Sequence, residues 1–189
     1  WVVRADPVLA AELRGPFARH SGGVTHIVEP VAQLVWSPER DAEDKVPNED
    51  SQLIEFDEGN LFALNRFPGW DARESGWRAN LGIGWTRIAP SGWTLGLMAG
   101  RILRSRDEGQ FTRASGLGGA RSDWLAAVQV QGRDGFGILG RAVFDDDLTL
   151  ARGEMRLRLD RADYGFSSGW VWARADAAEA RLADTSEWV

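Results

Sequence analysis

The stretch that decides the fold is residues 76–100, GWRANLGIGWTRIAPSGWTLGLMAG. Between Trp77 and Trp85, apolar side chains alternate with polar residues or glycine. This period of two is typical of a β-strand, whose successive side chains point to opposite faces. The tetrapeptide APSG at 89–92 predicts a turn, and the alternation resumes at Trp93. The stretch therefore predicts an antiparallel hairpin with tryptophan at both ends of its apolar row.

The same alternation recurs along most of the chain. Apolar rows occur near 9–13, 24–36, 124–130, 136–144, 151–159 and 164–172, and another begins near 185. We count about eight strands and the start of a ninth. Many runs reach ten residues or more, whereas soluble strands usually have about five or six and membrane-spanning strands need about 9 to 11. The predicted fold class is therefore all-β, an antiparallel transmembrane β-barrel segment of about 8 to 9 strands from a larger barrel.

Composition supports a barrel and excludes other membrane architectures. The chain has 10 Trp and 8 Phe although 26% of its residues are charged. Aromatic side chains at strand ends match the girdles of a membrane barrel. No stretch approaches the roughly 18 apolar residues of a membrane helix, which excludes a helical membrane protein. Cysteine is absent, which excludes disulfides and thiolate metal sites.

The second face of several strands is too charged for a protein core. We predict that these side chains face a watery lumen: Arg78, Asn80, Arg152, Glu154, Arg156 and Arg158. A soluble β-sandwich binding module, with the aromatic residues as its core, is the alternative. The chain begins at Trp1 without Met and stops just as an alternating run begins. We therefore expect residues 1–189 to be part of a C-terminal outer-membrane barrel domain whose sheet does not close on itself.

The connections between strands alternate in length. Those near 20–23, 89–92, 132–135 and 160–163 are short, whereas 38–74 and 105–121 are long. Barrels of the outer membrane combine short periplasmic turns with long external loops. Residues 38–76 contain eleven acidic and four basic side chains, so this segment accounts for the negative charge of the chain, which is −6 overall. It also contains apolar residues that a flexible linker would lack, so we expect 38–74 to be an ordered, acidic external loop.

A family resemblance rests on this loop and the strand before it. The pieces are THIVEPVAQ at 25–33, VPNEDS at 46–51, EFD at 55–57, NLF at 60–62, NRF at 65–67 and GWD at 69–71. In this order and spacing they resemble the lipopolysaccharide-assembly protein LptD, also called organic solvent tolerance protein OstA. The residues that carry the match are Glu29, Pro30 and Gln33 in the strand, and Pro47, Asn48, Asp50, Phe56, Asp57, Asn60, Leu61, Phe62, Asn65, Arg66, Phe67, Gly69 and Asp71 in the loop.

The resemblance implies a location and a function. Members of the family form an outer-membrane barrel of roughly 26 strands, preceded by a periplasmic domain and plugged by the lipoprotein LptE. They receive lipopolysaccharide from a periplasmic transport bridge and release it into the outer leaflet. The lipid leaves between the first and last strands, neither of which can be assigned in this chain. A passive porin-like channel, with the arginines as a selectivity element, remains the other membrane alternative.

No catalytic constellation is predicted, and we do not expect an enzyme. An outer-membrane hydrolase needs Ser, His and a carboxylate close together. Of the two histidines, His20 lies at a short turn and His26 on the predicted lipid-side face, where packing explains them. The acidic loop does not have the spacing of an EF-hand, so no metal site is predicted. Neither a cofactor nor a nucleic-acid partner is expected.

Overall fold

The computed structural model describes residues 7–38, 54–69, 72–107 and 109–189, and nearly all of its regular structure is β-strand. The strands are β1 Leu9–Arg14, β2 Phe17–Ser21, β3 Val24–Ser37, β4 Gly76–Ile88, β5 Thr94–Arg104, β6 Trp124–Gln131, β7 Phe136–Phe144, β8 Leu150–Asp160, β9 Gly165–Ala173 and β10 Thr185–Trp188. Short 3-10 turns lie at Arg113–Ser115, Arg133–Gly135 and Ala177–Glu179. None of the helical turns in the described ranges is long and apolar enough to cross a membrane.

All ten strands belong to one antiparallel sheet. Its order is β1-β3-β4-β5-β6-β7-β8-β9-β10, and β2 continues β1 along the other half of β3. In the described part of the chain, β1 and β10 are edge strands and do not pair with each other. The predicted fold class is confirmed, since the sheet is all-β, antiparallel and open. A sandwich requires two sheets packed face to face, and the described strands form only one.

The pairing register divides the side chains between two faces. Asn80 on β4 lies opposite Gln33 on β3, and Gly82 lies opposite Gly100 on β5. We call the face that carries these side chains the loop face, because part of the 38–74 segment packs on it. The other face, the apolar face, leaves large hydrophobic side chains exposed, among them Leu34, Trp77, Leu81, Ile83, Leu97, Trp124, Met155 and Phe166. A continuous exposed apolar surface of this kind marks contact with a partner or a membrane.

The two ends of the sheet differ in their connections. One end has the short turns 22–23, 89–93, 132–135 and 161–164, and the other has the connections 38–75, 105–123, 145–149 and 174–184. The predicted alternation of short and long connections is therefore observed, with 145–149 as the short exception at the second end. This end is called the long-connection end below.

Pro30 lies where the neighbouring strand is interrupted. β1 ends at Arg14 and β2 begins at Phe17, while β3 continues past both. The Gly15 N–H donates to the Pro30 carbonyl at 3.4 Å, so the backbone of Pro30 faces this gap. Proline has no N–H to donate, and the gap is a position where the ladder lacks a regular partner. Glu29, beside it, pairs with Arg14 at 3.1 Å.

Candidate functional site

Residues 54–69, which we call the strap, lie across the loop face of the sheet. The strap approaches closely because Gly82 and Gly100 pair directly and present no side chains. A Cβ atom at Gly100 would stand 2.3 Å from Leu61 Cδ2, and one at Gly82 would stand 2.8 Å from Phe62 Cζ. A larger residue at Gly82 would require Phe62 and Leu61 to shift, and one at Gly100 would also meet the Leu81 carbonyl oxygen at 2.9 Å.

The strap completes the main hydrophobic core of the described chain. Its Phe56 and Leu61 are fully buried. They pack with Leu117 of the 105–123 connection and with three side chains of the sheet, Ile102, Leu125 and Val143. Phe67 stacks on Phe111 of the same connection, with ring centroids 4.9 Å apart. Burial of this apolar surface provides the main driving force that holds the strap on the sheet.

Side-chain to backbone hydrogen bonds fix the shape of the strap. Asp57 and Asn60 form a reciprocal pair, in which the backbone N–H of each donates to the side chain of the other at 3.1 and 2.9 Å. Asn65 Nδ2 donates to the Phe67 carbonyl at 2.9 Å, and its Oδ1 accepts from the Glu74 N–H at 3.1 Å. Asn and Asp form such local turns readily. These contacts give the NLF and NRF pieces a structural role as turns.

A buried charge cluster joins the strap to Glu74, two residues before β4. Arg66 Nη1 pairs with Glu74 Oε1 at 2.8 Å, and both side chains are almost fully buried. Arg78 Nε and Arg104 Nη2 each lie 3.6 Å from Glu74 Oε2. Burial lowers the pKa of Arg66, and the charge of Glu74 opposes that shift. One carboxylate thus faces three guanidinium groups at a buried site.

Hydrogen bonds continue from this cluster across the sheet. Arg66 Nη2 donates to Asn80 Oδ1 at 3.1 Å, and Asn80 Nδ2 donates to Gln33 Oε1 at 2.6 Å. Gln33 Nε2 in turn donates to Glu12 Oε2 at 2.9 Å. Because Asn80 and Gln33 are both buried, each depends on these partners to satisfy its amide. The relay couples the strap to β4, β3 and β1.

The other end of the strap is held by arginines of β7 and β8. Arg152 Nη1 pairs with Glu55 at 2.9 Å, and its Nη2 donates to the Phe56 carbonyl at 3.0 Å. Arg141 lies 3.2 Å from Glu58 and 3.7 Å from Asp57. The strap is therefore attached on both sides, from β4 to β8.

A comparison with protein families identifies the chain. The model for LPS transport system D, LptD, matches residues 1–185. The chain belongs to the LptD family. This family serves lipopolysaccharide transport and assembly, is associated with the outer membrane and is not known as an enzyme family. No curated protein matches the chain significantly.

The residues that link the chain to LptD fall into two groups. Most of the described ones belong to the strap itself: Phe56, Asp57, Asn60, Leu61, Phe62, Asn65, Arg66, Phe67 and Gly69. Gln33 reaches the strap through Asn80, whereas Glu29 and Pro30 lie at the gap between β1 and β2. Pro47, Asn48, Asp50 and Asp71 lie outside the described residues. The described group thus concentrates in the strap, and Glu29 and Pro30 are the exceptions among the described residues.

The charged residues predicted from strand alternation all lie on the loop face. The register places Arg78, Asn80, Arg152, Glu154, Arg156 and Arg158 there. Arg78 and Asn80 are buried beneath the strap, whereas Arg156 and Arg158 are exposed. Arg158 pairs with Asp160 at 2.6 Å, and the partner of Arg152 is Glu55 of the strap rather than a neighbouring strand. Their exposure to a lumen stays a prediction.

Sequence reasoning did not single out several residues of the site. The pairing of Gly82 with Gly100 could have been predicted from the sequence, because the 89–92 turn fixes the register of the hairpin and places the two glycines opposite each other. No sequence pattern indicated the contact between Glu74 and Arg104, since it depends on how the 38–75 connection folds back onto the sheet. Of the two histidines, His26 stacks on Trp85 with ring centroids 5.8 Å apart, and His20 Nδ1 lies 2.9 Å from Thr25 Oγ1.

We expect Gly100→Val to displace the strap and to destabilise the protein by about 1–3 kcal/mol, because overpacking forces neighbours to move. The added Cβ would also stand 2.9 Å from the Leu81 carbonyl oxygen, so the side chain of Leu61 cannot relieve the clash alone. Tryptic cleavage after Arg66, which is buried in the folded protein, measures the displacement.

Gly96→Val on the same strand and face is the matched control. A Cβ there would stand 3.8 Å from Gln129 Cβ, an ordinary contact, and valine suits a strand. Equal protection of Arg66 from trypsin in both variants would show that the strap does not depend on the absence of a side chain at Gly100.

Asp123, just before β6, should make stability depend on pH. Burial and the nearby carboxylate of Asp145 raise the pKa of Asp123 from 3.8 to about 6. The folded state therefore binds more protons between these values, so the stability contributed by this group is present below pH 3.8 and lost as the pH rises through about 6. Asp123→Asn should raise the free energy of unfolding at pH 8 and leave it unchanged near pH 3.5. A stabilisation that is equal at both pH values would contradict this assignment.

Proposed function

We propose that this chain forms part of the wall of an outer-membrane barrel that exports lipopolysaccharide and inserts it into the outer leaflet. The observation that supports this most is the combination of one apolar face with a loop face on which an LptD family segment is anchored. The wall of a transmembrane barrel needs one apolar and one polar face, because lipid contacts one side of the wall and water contacts the other.

The two faces suggest an orientation. The apolar face would contact lipid, with Trp77, Leu81 and Ile83 among its exposed side chains. The loop face would line the lumen, where Arg156 and Arg158 stay hydrated. Exchanging the faces would place guanidinium groups in hydrocarbon, which costs about 2–4 kcal/mol each near the midplane. Outer-membrane barrels have long connections on the external side, so the long-connection end would face the outside of the cell.

In this orientation the strap lies inside the lumen rather than above it. It occupies the part of the lumen next to β4 to β8. The path of the lipid would then run along the other strands of the complete barrel. We propose that it helps to close the outer mouth or to assemble the barrel. The lipoprotein LptE would then plug the lumen from the other side, and a preceding periplasmic domain would connect the barrel to the transport bridge.

Depletion of the full-length protein in its own bacterium tests this function. If the protein exports lipopolysaccharide, newly made lipopolysaccharide should stop reaching the surface and the cells should become sensitive to large hydrophobic antibiotics. Surface lipopolysaccharide that continues to appear, together with slower uptake of small hydrophilic solutes, would support the porin-like alternative, in which exposed Arg156 and Arg158 act as a selectivity element.

A further inference from the structure

The apolar face carries an unexpected charge at the long-connection end. Along β3 to β9 the register assigns two charged side chains to this face, Arg87 and Arg101. Arg87 lies near the turn end, next to Ile88. Arg101 lies opposite Leu81 on β4 and borders the apolar band. A guanidinium group on a lipid-facing surface is least costly at an interface, so its position there is physically reasonable.

Three contacts hold the side chain of Arg101. Its guanidinium carbon lies 4.9 Å from the ring centroid of Trp124, and its Nε donates to the Ser122 carbonyl at 2.8 Å. Its Nη2 pairs with Asp146. The cation–π contact and these bonds fix the orientation of the group.

A second cation lies beside it. Arg121 forms an isolated antiparallel bridge with Leu103, which places it on the same face. Arg121 is exposed and makes no ion pair with any residue in the described ranges. Its charge is therefore available to an anion, whereas the charge of Arg101 is partly balanced by Asp146.

An apolar groove ends at these two arginines. Its volume is about 660 Å³, and its wall includes Leu81, Ile83, Ala99, Leu103 and Trp124. Ala99 lies between Ile83 on β4 and Ala126 on β6, and its small side chain forms part of the floor of the groove. An apolar groove with a cationic rim is complementary to a lipid that has an acyl chain and an anionic headgroup.

We propose that this groove binds lipopolysaccharide, with an acyl chain along Leu81 and Ala99 and a phosphate of its lipid A end on Arg121 and Arg101. The inference rests on the proposed function, which places the long-connection end at the outer leaflet where this lipid is delivered. Guanidinium groups suit phosphate because they present several donors in a fixed plane.

The test measures the binding of diphosphorylated lipid A to the full-length protein in nanodiscs, by native mass spectrometry. Arg121→Gln should weaken binding about tenfold, the effect of losing one charge-assisted hydrogen bond. Ala99→Phe should weaken it similarly by filling the groove while both arginines remain. Arg87→Gln, on the same face at the turn end, is the matched control and should bind normally.

Two results would overturn the proposal. One is unchanged lipid A binding in both Arg121→Gln and Ala99→Phe. The other is equally tight binding of phosphatidylglycerol to the unmodified protein, which would indicate an ordinary boundary lipid. This binding test does not depend on the result of the depletion experiment. The depletion experiment measures export in cells, whereas the binding test compares the affinities of protein variants in nanodiscs.

Discussion

Replacing Glu74 with alanine is expected to destabilise the protein by about 3–5 kcal/mol, because it removes one partner of a buried ion pair and leaves the other charges uncompensated. Glu74 is 2% exposed and is shared by Arg66, Arg78 and Arg104. Its carboxylate also accepts the Arg66 N–H at 3.1 Å. Urea unfolding of the full-length protein in detergent measures the loss, and the amount of mature barrel in cells should fall with it.

An exposed ion pair provides the control for this prediction. Asp160 pairs with Arg158 at 2.6 Å, but the two side chains are 56% and 68% exposed. Asp160→Ala should therefore change stability by about 0–1 kcal/mol. A similarly small effect of Glu74→Ala would mean that the cluster does not anchor the strap. Glu74→Gln should lie between the two, since it retains the shape and an acceptor but loses the charge.

Deleting residues 48–68 should cause the largest change in cells. The deletion removes Phe56, Leu61 and Arg66, and leaves Arg141 and Arg152 without their carboxylate partners in the strap. Loss of fully buried Leu or Phe side chains typically costs about 2–5 kcal/mol each. We expect either a barrel that does not mature or an outer membrane that admits large hydrophobic antibiotics, measured as growth inhibition together with barrel levels.

Deletion of Ala177–Glu179, an exposed turn in another connection at the same end, is the matched control and should be tolerated. Unchanged antibiotic resistance with normal barrel levels after removal of 48–68 would leave the strap without a role in transport or assembly.

The faces of the sheet were predictable because strand periodicity is local. Once Trp77 and Leu81 are assigned to one face, period two assigns Arg78 and Asn80 to the other. The apolar residues of the acidic loop also predicted that it would pack on something, which is confirmed for Phe56, Leu61 and Phe67.

The place where the loop packs was not predictable from alternation. It depends on contacts between residues far apart in the chain, such as Arg152 with Glu55 and Phe67 with Phe111. The notable local clue was the glycine pair, Gly82 and Gly100, whose missing side chains on the polar face mark a close approach. A charge cluster such as that of Glu74 forms only after the connection has folded back onto the sheet.

Cysteine labelling in intact outer membranes tests the central claim most directly. Met155 and Arg156 are adjacent on β8, both exposed, and lie on the apolar face and the loop face respectively. The 189-residue chain has no cysteine of its own. If the sheet is a barrel wall, a membrane-impermeant maleimide should label Arg156→Cys rapidly and Met155→Cys only after the membrane is dissolved and the protein denatured. Equally rapid labelling of Met155→Cys in intact membranes would contradict a lipid-facing apolar surface and with it the proposed barrel.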